Sequence, residues 1–273
     1  MTPMIEALDV NVRLCTKAVL HDVCLTARAG ELTAIVGPNG SGKTTTMKAL
    51  AGEIACDGRV LIGGDDIRSL KPWQLATRRA VLPQASVISF PFTVREIVRM
   101  GLTVGASTTR TNGTQGDLGL VDRVTQDALE AVDLGGFAGR FYQELSGGEQ
   151  QRVQLARALS QIWEPVRDGR PAFLLLDEPV SSLDIRHQLT IMRLAADYCR
   201  RGGGVVAIMH DLNLTAMFAD HIVMMKDGRV VTAGAPAAIM TDEMMETVFG
   251  CPMRVSALPP AGIPFVLPQT MAL

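Results

Sequence analysis

With 273 residues the chain is long enough for one large α/β domain, or two small ones, with a buried core. A net charge of −2, a pI near 6.1 and arginines interspersed with acids leave no basic field of the kind that grips a nucleic-acid backbone. A composition that is 47% hydrophobic but only 4% aromatic suits strands of Val, Ile, Leu and Ala buried on both faces. Cys15, Cys24, Cys56, Cys199 and Cys251 are scattered, odd in number and without a CxxC pair, which predicts reduced thiols rather than a disulfide frame or zinc site.

The opening "MTPMIEALDVNVRL" carries early acids and no apolar stretch, so no signal peptide is expected. Its alternation, with that of "RVLIGGDDI", predicts antiparallel edge strands. Strand-like runs follow at 32–36, 59–62, 80–82, 173–177, 205–209 and 222–225, and helical patterns at 43–51, 185–200 and 212–218. Alternating strands and helices predict a largely parallel sheet with helices on both faces. Residues 86–160 hold "TVREIVRMG", "VDRVTQDALEAVDL" and a helix from Gly147 but no convincing strand, and so read as a helical subdomain inserted into the core. Within it, 105–119 is rich in Gly, Thr and Asn and is expected as a loop. The predicted organisation is one domain over 1–250, with its core at 1–85 and 161–250, then an irregular Pro-rich tail over 251–273. No window holds 18 uninterrupted apolar residues, so no membrane crossing is expected.

"GPNGSGKTTT" (37–46) fits G-x-x-x-x-G-K-[ST] between a predicted strand and a predicted helix, the flanks that turn a string match into a site. A polyphosphate needs many donors converging from a shell too tight for side chains. Gly37, Gly40 and Gly42 let the loop of Gly37, Pro38, Asn39, Gly40, Ser41 and Gly42 bend so that its N–H groups, which Pro38 alone lacks, point inward. The helix start adds unpaired N–H groups and partial positive charge at Lys43, Thr44 and Thr45. Lys43 can then reach the β- and γ-phosphates of a bound nucleotide, and the Thr44 hydroxyl can ligate Mg2+.

"FLLLDEP" (173–179) ends a buried strand in two carboxylates, delivered to the carboxyl edge of the sheet where open α/β folds bind ligands. Asp177 is expected in the Mg2+ shell, and Glu178 as the group that polarises the water attacking the γ-phosphate.

A phosphate loop alone fits kinases, GTPases, helicases and motors, and the chain has no N-K-x-D guanine-reading motif. "LSGGEQ" (145–150) decides among the rest: here the chain resembles the ATPase subunits of ABC transporters, over essentially all of 1–250. The resemblance implies a P-loop NTPase core with a mostly parallel sheet, an antiparallel β edge and the inserted helical subdomain. It also implies that Ser146, Gly147 and Gly148 form a second anion site, which faces the phosphate loop of a second copy and sandwiches two ATPs in a head-to-tail homodimer. On the same grounds Gln84, in "VLPQAS", touches Mg2+ or the attacking water. Asp184, in "SSLD", lies at the interface between copies, and His210, ending "VVAIMH", hydrogen-bonds the γ-phosphate. One departure stands out. The family's aromatic for stacking adenine has no counterpart in "NVRLCTKAVL", which leaves Leu14, the stem of Arg13 or Val19.

A single core without a membrane span implies a separate permease dimer, and so a peripheral protein on the cytoplasmic face of a bacterial inner membrane. "PQASVISFPFTVREIVRMG", "LSGGEQQRVQLARALSQIWEP" and "HDLNLTAMFADHIVMMKDGRVVTAG" are most similar to the haem (hemin) importer ATPases, in the branch that also imports iron–siderophores and vitamin B12. A periplasmic haem-binding protein is then an indirect partner, and Phe90 and Phe92 fall where a permease helix would dock or where the core would pack. Siderophore or cobalamin is the alternative cargo. A non-transport relative acting on nucleic acid is disfavoured by the charge balance and by the absence of a second core or long coiled coil.

Overall fold

The computed structural model describes residues 4–86, 88–106 and 115–270. The chain opens with β1 (Met4–Leu14) and β2 (Lys17–Arg28), antiparallel across a two-residue turn, and then enters the buried strand β3 (Leu32–Val36). Next come α1 (Lys43–Ala51), β4 (Asp57–Ile62), β5 (Asp65–Asp66), α2 (Pro72–Ala76) and β6 (Arg79–Leu82). Three helices follow, α3 (Val94–Ala106), α4 (Gln115–Ala131) and α5 (Gly147–Gln161), with no strand from 83 to 161 among the described residues. A small hairpin of β7 (Val166–Arg167) and β8 (Arg170–Pro171) leads into β9 (Phe173–Asp177), α6 (Ile185–Arg200), β10 (Gly204–Ile208) and α7 (Leu212–Phe218). The final elements are β11 (His221–Lys226), β12 (Arg229–Gly234), α8 (Pro236–Ile239) and α9 (Asp242–Phe249). From 251 to 270 the chain is irregular apart from a short turn at Pro268–Thr270.

The central sheet runs β12-β11-β3-β10-β9-β6, parallel throughout except for β12. Its strands separate their side chains with period two. Ile35, Phe173, Leu175, Val206, Ile208, Val223 and Met225 face one cluster. Leu32, Ala34, Val36, Leu174, Leu176, Val205, Ala207, Ile222 and Met224 face the other. The second face is covered by the helices from α3 onward; the first is covered by α1, Leu75 of α2 and a second sheet, β2-β1-β4-β5. The N-terminal strands thus stack on the parallel sheet instead of extending its edge. Their alternate residues Ile5, Ala7, Val10, Val12, Leu20, Val23 and Leu25 need an apolar surface to cover, and only the sheet face with α1 supplies one.

Two hairpins escape the periodicity reading, β7–β8 and β11–β12. Their signal is Asp-Gly: Asp168–Gly169 and Asp227–Gly228 have positive φ at both positions, the primed turn that matches strand twist. The expected loop at 105–119 is helical at both ends, since α3 reaches Ala106 and α4 begins at Gln115; 107–114 lie outside the described residues. Gly and Thr weaken a helix by only about 1 kcal/mol or less per residue, and the packing of α3 and α4 on α5 overrides that.

Gly101 sets how closely α3 and α5 approach. A Cβ there would lie 2.2 Å from the Arg157 carbonyl oxygen and 2.3 Å from Ser160 Oγ. The Ser160 hydroxyl itself donates to the Val98 carbonyl of α3 at 2.8 Å. Gly101→Ala is therefore expected to cost about 1–3 kcal/mol through overpacking, read as a fall of several degrees in thermal melting.

Candidate functional site

Parallel register turns three neighbouring strands into one site. β9, β10 and β3 lie side by side and point the same way, so the residues that follow each emerge at one sheet edge. The phosphate loop follows β3, Asp177 ends β9 with Glu178 next, and His210 follows β10 by two residues. Gln84 arrives from β6, which flanks β9 on its other side.

The loop is shaped by contacts that forbid side chains. A Cβ on Gly37 would fall 2.1 Å from the Met225 carbonyl oxygen. Gly42 is left-handed (φ 98°) and is the N-cap of α1, and no side chain among the described residues caps that helix, which leaves its first N–H groups suited to an anion. Lys43 Nζ donates to the carbonyls of Gly37 (2.9 Å) and Pro38 (3.0 Å), resting on the loop. Burial pulls its pKa down, while Glu178 and Asp177 pull the other way. The Ser41 hydroxyl is buried without a hydrogen-bond partner among the described residues. Asn39, Gly40, Ser41, Gly42, Thr44 and Thr45 line a cavity of about 650 Å3 that Lys43, Gln84, Glu178 and His210 also reach. Donors of this kind around a volume of this size suit a nucleoside triphosphate.

The two carboxylates diverge. Asp177 is 3% exposed and accepts from Thr44 Oγ1 at 3.4 Å. Burial, and then the neighbouring Glu178, raise its pKa. Glu178 takes φ 54°, rare for a residue with a side chain and costing about 1–3 kcal/mol. The bend aims its carboxylate at His210, with Oε1 2.7 Å from Nε2. No group of three or more His, Cys, Asp or Glu able to cage a metal exists among the described residues. Two oxygen donors, Thr44 and Asp177, with a carboxylate short of compensating charge, do fit Mg2+, which takes few protein ligands and completes its shell with water and phosphate.

The head of α5 stands apart from this cavity: none of Ser146, Gly147, Gly148 or Asp184 lines it. Ser146 is the N-cap of α5 in a reciprocal box with Glu149. The Ser146 N–H and hydroxyl each donate to Glu149 Oε2 at 2.7 Å, and the Glu149 N–H donates back to Ser146 Oγ at 3.4 Å. These bonds hold the Glu149 carboxyl below its usual range. The signal was in the sequence as S-x-x-E. Gly147 instead lines a second cavity, about 220 Å3, together with Gln84, Gln151 and Ser182. Asp184 caps α6, accepting from the His187 N–H at 2.9 Å.

Of the residues weighed for the base, Val19 lines the main cavity, Leu14 is 46% exposed beyond it, and Arg13 donates to the Thr16 carbonyl at 3.4 Å. Lys17, which sequence reasoning missed, lines the cavity beside Val19. The two phenylalanines part company: Phe90 is 70% exposed, and Phe92 packs on the helical-side core.

Fold and site together define a P-loop nucleoside-triphosphatase core. The family description "ABC transporter" matches residues 20–181, and the chain belongs to that family. It is 64% identical to the "Hemin import ATP-binding protein HmuV" of Rhizobium meliloti (strain 1021), over 99% of this chain and 100% of that one. It is 54% identical to a protein of the same name from Jannaschia sp. (strain CCS1), over 97% and 94%. Among solved structures, "Structure of ATP binding subunit of ABC transporter" superposes with a TM-score of 0.73 at 23% identity, covering 90% of this chain and 93% of that one. A "putative metal-chelate type ABC transporter" gives 0.72 at 23%, covering 92% and 91%. These last two bear on the fold alone.

Asp177 lends itself to a stability test. A folded-state carboxyl pKa above the unfolded one means that folding favours the protonated form, so its contribution to stability is lost as pH rises through the folded value. Asp177→Asn is accordingly expected to melt higher than wild type near neutral pH, without nucleotide or metal. The gap should widen as pH rises above the usual carboxylate range, each kcal/mol relieved being worth about 2–4 °C. Parallel melting curves for the two proteins check this.

Proposed function

We propose that the chain is the ATP-hydrolysing subunit of a haem importer, working as a head-to-tail homodimer beneath a separate permease dimer on the cytoplasmic face of the inner membrane. The observation that carries the hydrolytic part is the 2.7 Å pairing of Glu178 with His210 at the mouth of the phosphate loop. Haem as cargo draws support from the names of relatives similar over nearly the whole length of both chains. Iron–siderophore or cobalamin is the second reading, since none of the site residues touches cargo. A periplasmic haem-binding protein acts upstream. No helix among the described residues is long and apolar enough to cross a membrane, consistent with a separate permease.

The residues divide the chemistry among themselves. Loop N–H groups and the start of α1 bind the phosphates, and Lys43 exchanges its loop carbonyls for β- and γ-phosphate oxygens. Thr44, Asp177 and Gln84 would hold Mg2+, which when bound offsets phosphate charge. Glu178 accepts the proton of the water that attacks the γ-phosphorus as the bond to the β-phosphate oxygen breaks. His210 donates to Glu178 or the γ-phosphate and so steers that carboxylate.

The donors of Ser146, Gly147 and Gly148 act on the ATP of a second copy, which is why they are absent from this copy's cavity. Asp184 lies beside that contact. We read 86–160 as the inserted helical subdomain, 1–85 and 161–250 as the core and 251–273 as a tail; Phe90, exposed beside the Gln84 loop, suits a permease contact.

Glu178→Gln is expected to lower ATP turnover by about 100-fold or more while leaving ATP binding intact, and to trap an ATP-bound dimer on size exclusion. Full turnover would sink the assignment. For cargo, deletion is expected to abolish growth on haem as the sole iron source and to spare growth on a siderophore; the opposite pattern would favour the second reading.

A further inference from the structure

Glu178 needs more than its own backbone to stay where it is. A left-handed conformation in a residue with a side chain persists only when its surroundings hold it. Its carboxylate is held by His210. Its carbonyl oxygen accepts from Ser181, by the N–H at 3.4 Å and the hydroxyl at 3.2 Å, both long and both local. The short bond comes from elsewhere: Gln151 Nε2, on the second turn of α5, donates to that oxygen at 2.8 Å across 27 residues of sequence. A carbonyl oxygen only accepts, so the amide must present its nitrogen. Gln151 Oε1 is buried with no hydrogen-bond partner among the described residues, which leaves the bond to Glu178 as the one among them that orients the group. Gln151 also borders the 220 Å3 cavity shared by Gln84 and Gly147.

We infer that Gln151 is a positioning residue for hydrolysis: it fixes the Glu178 backbone in its left-handed bend and so couples the placement of α5 to the aim of the Glu178 carboxylate. The inference rests on the role proposed for Glu178. α5 is the helix headed by Ser146, so movement at that head reaches the acid through one side chain five residues on. Loss of the bond frees the peptide after Glu178 to relax towards an ordinary φ. The carboxylate then leaves His210, while the phosphate loop, which Gln151 does not line, keeps its shape.

The test uses the full-length protein. Single-turnover ATP hydrolysis and equilibrium binding of a fluorescent ATP analogue are measured for wild type, Gln151→Met, Gln151→Glu, Glu178→Gln and the Gln151→Met/Glu178→Gln double variant. Met matches the length of Gln and removes the donor; Glu keeps the shape and replaces the donor with an acceptor, so either can carry the test if the other fails to fold. Turnover in both is expected to fall by about tenfold, part of the loss from removing a general base outright, with affinity kept within about threefold. In the Glu178→Gln background, Gln151→Met should add nothing, because both changes act through one group. Wild-type turnover in a folded Gln151 variant, equal losses of affinity and turnover, or a full extra loss in the double variant would each overturn the inference. Wild-type turnover in Glu178→Gln would instead overturn the role of Glu178 itself.

Discussion

Backbone pairing between β3, β10 and β9 is the constraint on which the site depends. Val205 sits opposite both Leu32 and Leu174, and Ile208 opposite both Ile35 and Asp177, so the three strands end level. Level ends place a phosphate loop, a histidine and two carboxylates within one another's reach without any long side chain. The register is locked because each strand is buried on both faces and alternates between two clusters. A slip of one residue would move Ile35 and Val206 to the helical side and Leu32 and Val205 to the other.

The parts of the fold that repeat a simple physical pattern were plain in the sequence. Helices at Lys43–Ala51, Ile185–Arg200 and Leu212–Phe218 were legible residue for residue, because the first starts at a glycine-ended phosphate loop and the others behind Asp184 and Asp211, whose carboxylates cap them. The buried strand at 173–177 was equally plain from four apolar residues running into an acid. What periodicity does not carry is which sheet a strand joins: β1 and β4 alternate as an edge strand would, and only the bare face above α1 decides that they stack instead. Met209 shows how soft an end can be, leaving the strand while its N–H still reaches the Ile35 carbonyl at 3.1 Å.

The candidate site divides along the same line. Glycine spacing and a lysine before threonines spell out a phosphate cradle, because the chemistry demands those residues in that order. Gln151 and Lys17 could not be found that way. Each matters through a contact made in space, with Glu178 at a separation of 27 residues for the first and with the cavity wall beside Val19 for the second. The Glu149 box lay in plain view but was eclipsed by the glycines in front of it.

The two helix starts differ in a way that bears on how tightly each can hold an anion. α1 begins with its N–H groups uncapped, so a phosphate arriving there meets an unmet demand. α5 begins with a resident carboxylate already seated on Ser146. An anion seeking the Ser146 donors would have to displace that carboxylate. The first terminus thus stays open to a newcomer, whereas the second has already spent its Ser146 donors on its own chain.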